Sequence, residues 1–275
     1  MSELKKKVDW AVRFLRAASQ MGPMELAYSG GKDSDVILYL SRLAGIDIRP
    51  IYKNTTIDPP RTIQHCIDNG VEILAPKESF FKLVERKGFP SRWVRFCCEH
   101  LKEYKVMDRA ILGIRRSESS KRSKRYTEPE VCRTYRSKKD KVLQYLPILD
   151  WNDNDVAEFV RCEGIRLHDL YYRGDGSVDV SRRLGCIGCP LASRQKRVEE
   201  FKRYPRFLKQ WIRHGNLYYA NRVVVDDKAF ANAYEAMVST LFFDNFNQYR
   251  QAVRSSLFGS MDDKKLLEDY FKIDL

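Results

Sequence analysis

Four cysteines in two tight pairs are the first side chains here that could do chemistry: Cys97-Cys98, and Cys186-Ile187-Gly188-Cys189. Thiolate is a soft ligand, and two such pairs can close into one tetrathiolate site for an iron–sulfur cluster or for zinc. A redox Cys-x-x-Cys is the other use of the second pair, but it leaves Cys97-Cys98 without a task. Gly185 and Gly188 let the backbone fold closely around such a group. Cys66, Cys132 and Cys162 stand alone and read as small apolar side chains. A second constellation is Tyr28-Ser29-Gly30-Gly31-Lys32-Asp33-Ser34. Its glycines admit an anion close to the backbone, Ser29 and Ser34 offer hydroxyls, and Lys32 adds a positive charge. A lone Gly-Gly is an ordinary turn. Six residues of this chemistry between a strand and a helix point to phosphate. His65, His100, His168 and His214 show no ligand spacing and read as structural or surface residues.

The elements that must position these residues follow from periodicity. Residues 25–28 read as a buried strand entering the glycine turn, and 35–43 as a helix with a broad apolar face. Strands over 46–51, 71–74, 110–114 and 144–148 alternate with helices over 62–69, 80–86, 99–109 and 153–163. That alternation predicts an α/β fold, a Rossmann-like parallel sheet with helices on both faces. An Asp at 150 or 153 is expected to cap the helix that follows Trp151, itself a packing residue. Residues 115–141 lack periodicity and read as a long mobile loop over the site. Helices over 197–203, 207–214, 227–241 and 262–271 predict a helical C-terminal region. The expected division is an amphipathic helix over 1–24, a nucleotide-binding domain over 25–195 and the helical region over 196–275.

The chain of 275 residues carries a formal net charge of +13, and the excess is segregated. Residues 111–143 hold eleven Lys/Arg against four Asp/Glu, residues 194–222 hold nine against two, and residues 226–275 reverse the sign with nine acids against six bases. Two basic blocks flanking the chemistry imply nucleotide phosphate and a polyanionic partner, against the plainer reading of a solvated charged face. No stretch approaches the roughly 18 consecutive apolar residues of a membrane helix. The basic N-terminus leads into Leu4, Val8, Ala11, Val12 and Leu15 at helical spacing rather than a signal sequence, so a cytoplasmic protein is expected.

Ser-Gly-Gly-Lys-Asp-Ser over 29–34 resembles the pyrophosphate-binding loop of the adenine nucleotide α-hydrolase-like superfamily, and not the Walker loop with its wider glycine spacing. Three further segments resemble motifs of the phosphoadenosine phosphosulfate (PAPS) reductase family: Asn54-Thr55-Thr56-Ile57-Asp58-Pro59-Pro60, Gly113-Ile114-Arg115-Arg116-Ser117-Glu118-Ser119, and Pro147-Ile148-Leu149-Asp150-Trp151. Together they cover about residues 25–195. The resemblance implies that Ser29, Gly30, Gly31, Lys32, Asp33, Ser34, Asn54, Thr55, Thr56, Arg115, Arg116 and Glu118 bind an adenine nucleotide. It also implies catalytic roles for Lys32, Asp33 and Arg115, with Asp33 helping to place Mg²⁺ where ATP is used. The Cys97-Cys98-x-x-x-Lys102 segment with the distant Cys-x-x-Cys is similar to the [4Fe–4S] site of adenosine phosphosulfate (APS) reductases.

One departure redirects the functional reading. Those reductases use a cysteine near the C-terminus as the sulfur nucleophile, whereas no cysteine here follows Cys189. The combination of loop and cysteines without that tail resembles the cluster-bearing ATP pyrophosphatase of DNA phosphorothioation systems. The expected activity is then adenylation of an acceptor such as DNA for sulfur insertion, with a cysteine desulfurase as partner. The other readings are an APS/PAPS reductase using Cys132 or Cys162, tRNA thiolation, and a catalytically silent nucleotide-binding partner.

Overall fold

The computed structural model describes residues 2–134, 140–221, 230–255 and 262–275. In chain order the elements are α1 (Glu3–Ser19), β1 (Glu25–Tyr28), α2 (Lys32–Ala44), β2 (Arg49–Lys53), α3 (Thr62–Asp68) and β3 (Glu72–Leu74), followed by α4 (Phe80–Lys87), α5 (Phe96–Leu101), β4 (Arg109–Ile111) and α6 (Ser120–Arg125). Next come β5 (Glu130–Thr134), β6 (Lys141–Tyr145), α7 (Asp153–Cys162), α8 (Arg194–Arg203), α9 (Pro205–Ala220), α10 (Ala233–Phe242), α11 (Phe246–Arg254) and α12 (Asp263–Phe271). The chain forms two compact units. The first comprises Met1–Asn54, Asp58–Pro76 and Glu99–Gly185, and the second Thr55–Ile57, Lys77–Cys98 and Cys186–Leu275.

The first unit is a six-stranded sheet in the order β3-β2-β1-β4-β6-β5, parallel throughout except for β5. This is the α/β, Rossmann-like arrangement implied by the alternation of periods. β1 sits between β2 and β4, so the chain leaves β1 and β4 toward opposite flanks and opens a crevice at their carboxyl ends. α2 buries Val36, Ile37, Leu38, Leu40 and Ala44, and α1 buries Leu4, Ala11, Leu15 and Ala18 in the same core. Gly45 ends α2 in the left-handed region at φ +62°, its N–H closing onto the carbonyls of Arg42 and Ser41.

Several local expectations are corrected. Residues 115–141 are not a loop: a short 3-10 turn over Arg116–Glu118, helix α6 and strand β5 occupy the described part, while 135–139 lie outside the described residues. β5 is a five-residue edge strand whose outward positions carry Glu130, Cys132 and Thr134, so only Val131 and Arg133 mark its inner face. That is too few apolar residues for a visible period. The helix expected over 99–109 is confined to α5, and the strand expected over 46–51 starts three residues later, at Arg49. The α7 cap is Asn152, whose side chain accepts from Asp155 N while Asp155 accepts from Asn152 N, leaving Asp150 and Asp153 for arginines. α11 has no counterpart in the expected pattern, and residues 227–229 of the helix expected over 227–241 lie outside the described residues.

The second unit is held by helix packing around aromatic rings. Trp211 on α9 meets Phe80 at a tilt, with ring centroids 4.9 Å apart, and Phe89 and Phe201 edge-on at 5.2 and 6.3 Å. Gly215 gives α9 its approach to Phe89, because a Cβ there would stand 2.6 Å from that ring. The His214 Nδ1 and a Glu85 carboxylate oxygen, 2.6 Å apart, add a polar clasp between α9 and α4.

Candidate nucleotide loop and thiol site

Gly30 and Gly31 join β1 to α2 because no other residue fits there cheaply. Gly30 has φ +73°, and a Cβ on it would meet Thr62 at 3.0 Å and Leu184 at 3.2 Å. Gly31 is the extended N-cap of α2 and brings no side chain, while Ser34 N and Asp35 N donate to its carbonyl at 2.9 and 3.1 Å. Ser34 donates its hydroxyl to the Gly31 carbonyl at 2.7 Å, and the Tyr171 hydroxyl accepts from Lys32 N at 3.2 Å. These bonds hold the loop open in advance of any ligand.

Lys32 is 3% exposed, and burial lowers its pKa below the ordinary 10.5. Its ammonium is kept by Asp33, 3.2 Å away, whose other oxygen takes Arg115 Nε at 2.8 Å. Arg115 in turn donates to Asp153 at 2.8 Å and to Ser117 Oγ at 3.2 Å, and its side chain is fully buried. Arg116 is bound to Asp150 and to the carbonyls of Tyr126 and Thr127. Both guanidiniums named from the Gly-x-Arg segment therefore act within the protein: Arg115 orients Asp33, and Arg116 ties the turn down. Glu118 receives Arg122 and, at 3.2 Å, Arg183.

A cavity of about 420 Å³ opens in front of the loop, lined by Ser29, Gly31, Lys32, Asp33 and Ser34 together with Leu112, Gly113 and Ile114 after β4 and residues from β5 and α6. Lys32, Lys102, Arg122, Arg133 and Arg183 line it against Asp33, Glu103 and Glu118, an excess of positive charge that suits a polyphosphate. Among the described residues neither Arg115 nor Arg116 reaches its surface. Arg122, Arg133, Tyr171 and Arg183 are lining residues that no motif named, while Lys102 had been named only within the Cys-Cys-x-x-x-Lys segment. Arg122 and Arg133 were signalled by the basic block around them, whereas Tyr171 had no signal at all. Gly113 after β4 lies 3.0 Å from Asp33 Cβ at the position its own Cβ would take, so that glycine permits the close approach.

Behind the loop, Asp35 is buried between Tyr28, which donates to it, and His65, whose Nε2 lies 3.0 Å away. Burial raises the Asp35 carboxyl, and the bonds from His65 and Tyr28 oppose that rise. His168 lies edge-on to His65 and accepts from Leu170 N through Nδ1 at 3.1 Å. Burial lowers its pKa below the ordinary histidine value. The Tyr171 hydroxyl is pushed up to about 12 by burial.

All four cysteines of the two pairs belong to the second unit, as do Thr55 and Thr56, while Asn54 ends the preceding stretch of the first. The Cys186 thiol lies 3.6 Å from Thr55 Oγ1, and Ile187 N donates to the Ile57 carbonyl at 2.9 Å, which fastens the turn. Thr56 accepts Phe80 N at 2.9 Å and so caps the start of α4. Thr56 and Thr55 are thus engaged with unit 2 partners. The Cys97 thiol is raised first by its bond with Cys98, then by burial and by the charges of Cys98, Cys186 and Cys189. The four thiols sense one another, although among the described residues no three His, Cys, Asp or Glu side chains stand close enough to cage a single ion.

Among the described residues Arg197 Nε and Trp211 Nε1 have no hydrogen-bond partner, and both side chains line a cavity of about 480 Å³ that no cysteine lines. Trp211 Nε1 stands 3.1 Å from where a Gly188 Cβ would be. Four thiols are themselves the donor chemistry of an iron–sulfur cluster or of zinc.

The open sheet with its glycine loop at the strand-order reversal is a nucleotide-binding type of α/β architecture. Residues 23–192 match the phosphoadenosine phosphosulfate reductase domain, and the chain belongs to that family. Two uncharacterised proteins of Methanocaldococcus jannaschii are each 29% identical to it, over 68% of this chain and 46% of one relative, and over 69% and 40% for the other. An uncharacterised protein of Escherichia phage 186 is 31% identical over 50% of this chain and 43% of its own length. The chain thus spans less than half the length of these curated relatives. Among solved structures, the Candida auris PAPS reductase in its phosphate complex aligns at TM-score 0.48 with 15% identity, over 68% of this chain and 96% of that one. Candida glabrata FMN adenylyltransferase aligns at TM-score 0.45 with 15% identity, over 86% and 79%.

Proposed function

We propose that this chain is an ATP pyrophosphatase of the PAPS reductase family that adenylates an acceptor for sulfur insertion. The observation that carries the reading is the buried Lys32 in the glycine loop that opens α2, at the wall of a cavity with an excess of basic groups. An oxygen of the acceptor attacks the ATP α-phosphorus, the new O–P bond forms, and the bond to the β-phosphate breaks with its electrons leaving on pyrophosphate. Lys32 and the loop amides neutralise charge on the transferring phosphoryl group. Arg115 keeps Asp33 in position, and Asp33, which lines the cavity, would help hold Mg²⁺. A sulfur nucleophile delivered by a cysteine desulfurase then displaces AMP from the acceptor.

Cys97, Cys98, Cys186 and Cys189 are the residues that would hold a [4Fe–4S] cluster, with zinc as the other occupant of the same donor set. A bound cluster would supply one-electron chemistry. DNA is the acceptor the charge favours. Trp93 is 94% exposed between Arg92 and Arg95 in the second unit, a ring and charge combination suited to an unpaired strand.

The reductase reading loses its nucleophile. Cys132 lies on the outward face of β5, opposite Val131 and Arg133, and no cysteine among the described residues lines the cavity. The test is product analysis with purified protein, DNA, a cysteine desulfurase and cysteine. ATP-dependent pyrophosphate release is expected; sulfite release from APS or PAPS, with no pyrophosphate from ATP, would reverse the assignment.

A further inference from the structure

Tyr171 is set against the glycine loop by a short series of local bonds. The turn over Asp169–Tyr171 starts at His168, whose Nδ1 accepts from Leu170 N at 3.1 Å while its carbonyl accepts from Tyr171 N at 2.9 Å. Asp179 N then donates to the Tyr171 carbonyl at 2.7 Å. The ring is packed into the core of the first unit, 2% exposed, with the Lys32 ammonium 5.8 Å from its centroid. Gly31 admits the hydroxyl, since a Cβ there would stand 3.2 Å from Tyr171 Oη.

The hydroxyl oxygen receives two bonds, from Lys32 N at 3.2 Å and from Leu184 N at 3.3 Å. An N–H can only donate, so the oxygen is the acceptor in both and its own hydrogen is not used. Among the described residues that O–H has no acceptor. Tyr171 lines the cavity in front of the loop, beside Lys32, Asp33 and Ser34. Within the loop, Ser34 N and Asp35 N are turned onto the Gly31 carbonyl, and Lys32 N is on the tyrosine. The hydroxyl therefore takes up one N–H of the first turn of α2 and offers one O–H in its place. Two donors on one oxygen polarise its O–H and make it a better donor. Burial pushes the hydroxyl up to about 12 against the pull of the two amide bonds, so it keeps its proton at neutral pH. Water is the plainer acceptor for one O–H. Beside a buried ammonium, an anionic oxygen is the stronger one.

We propose that Tyr171 is a further substrate-binding residue, whose O–H donates a hydrogen bond to an oxygen of the phosphate held at the glycine loop. The inference rests on the loop as a phosphate site and not on the reaction that follows there. It gives Tyr171 a direct contact with the nucleotide in addition to its support of the loop backbone.

The experiment measures binding by calorimetry on the full chain at neutral pH, with α,β-methylene ATP as a probe that releases no pyrophosphate. Tyr171→Phe removes the O–H and leaves the ring, and affinity is expected to fall about 10–100-fold, the range for a hydrogen bond to a charged group. The same change strips Lys32 N and Leu184 N of their acceptor, so a second variant separates the two roles. A tyrosine fluorinated on the ring carbon beside the hydroxyl, introduced at position 171 alone, keeps the ring and the oxygen. Fluorine makes the O–H a stronger donor and the oxygen a weaker acceptor. Binding tighter than wild type is expected, whereas a hydroxyl that served only the loop backbone would bind the probe less well in both variants. A fluorinated protein that binds no tighter than wild type, or a Tyr171→Phe protein that binds equally well, overturns this inference alone. A wild-type chain that binds neither the probe nor ATP overturns the phosphate-loop reading and this inference with it. Pyrophosphate release is assayed separately, so failure of the adenylation reading leaves the binding result standing.

Discussion

The phosphate loop of the first unit and the cysteine turn of the second treat their polar groups in opposite ways. Around the loop each charge leans on a protein partner: Lys32 on Asp33, Asp33 on Arg115, Arg115 on Asp153. Around the turn, buried donors of Arg197 and Trp211 are left over. A site completed by the protein is preorganised, so a substrate can enter and leave without collapse of the geometry. Donors left over at the wall of an open cavity are met by whatever enters it, water included.

The largest effect that would break or sharpen this contrast is at Lys32. Lys32→Ala is expected to reduce pyrophosphate release by about 10²–10³-fold, the range for removing one preorganised charge-stabilising group. A coupled pyrophosphate assay that finds activity within a few fold of wild type would remove the loop from the chemistry. In the second unit, Cys186→Ser is expected to lose most of the bound iron while Cys162→Ser retains it, as read by iron and sulfide content. Equal retention in both would separate the Cys-x-x-Cys from any cluster.

Smaller effects probe how tightly the loop is built. Gly30→Ala forces a side chain into φ +73° against Thr62 and Leu184, and a loss of about 1–3 kcal/mol is expected from denaturant melts. Gly174→Ala, where a Cβ meets nothing within 4 Å, serves as the neutral control. The pH dependence has a definite sign. Lys32 has a lowered pKa in the folded chain, so between that value and 10.5 the unfolded chain holds the extra proton. Its contribution to stability therefore rises with pH across that window, while nucleotide affinity, which uses the ammonium, falls. Calorimetric titrations over pH are expected to lose this fall in Lys32→Arg, which does not titrate there. The mildest change is Trp93→Ala, expected to weaken single-stranded DNA binding by a few fold without altering its salt dependence. A changed salt slope with equal affinity at low salt would assign Trp93 to charge positioning instead of stacking.

Much of the first unit was legible because its signals are local. The apolar faces of α1 and α2 repeat at helical spacing, and the glycines fall between a strand and a helix. β5 and α6 were illegible for the same reason: an edge strand with one apolar residue on its inner face and a polar helix of six residues leave no period to read. The motif arginines show a further limit. Gly113-Ile114-Arg115-Arg116 names two guanidiniums, yet their Asp33, Asp153 and Asp150 partners can be found only by folding the chain.

By itself the sequence determined the kinds of chemistry available: a glycine loop able to receive phosphate, a lysine within it, and four thiols in two pairs. Residue type and short-range spacing are enough for that, since turn geometry and helix capping are set within a few residues. Only the tertiary structure decided who partners whom. Arg115 meets Asp33 across 82 positions of chain and is spent on holding it. Cys97-Cys98 joins Cys186 and Cys189 in one unit, which also holds the unpartnered donors of Arg197 and Trp211. Such meetings depend on how helices pack around Trp211 and Phe201, and no local pattern encodes the orientation in which a buried N–H is left without a partner.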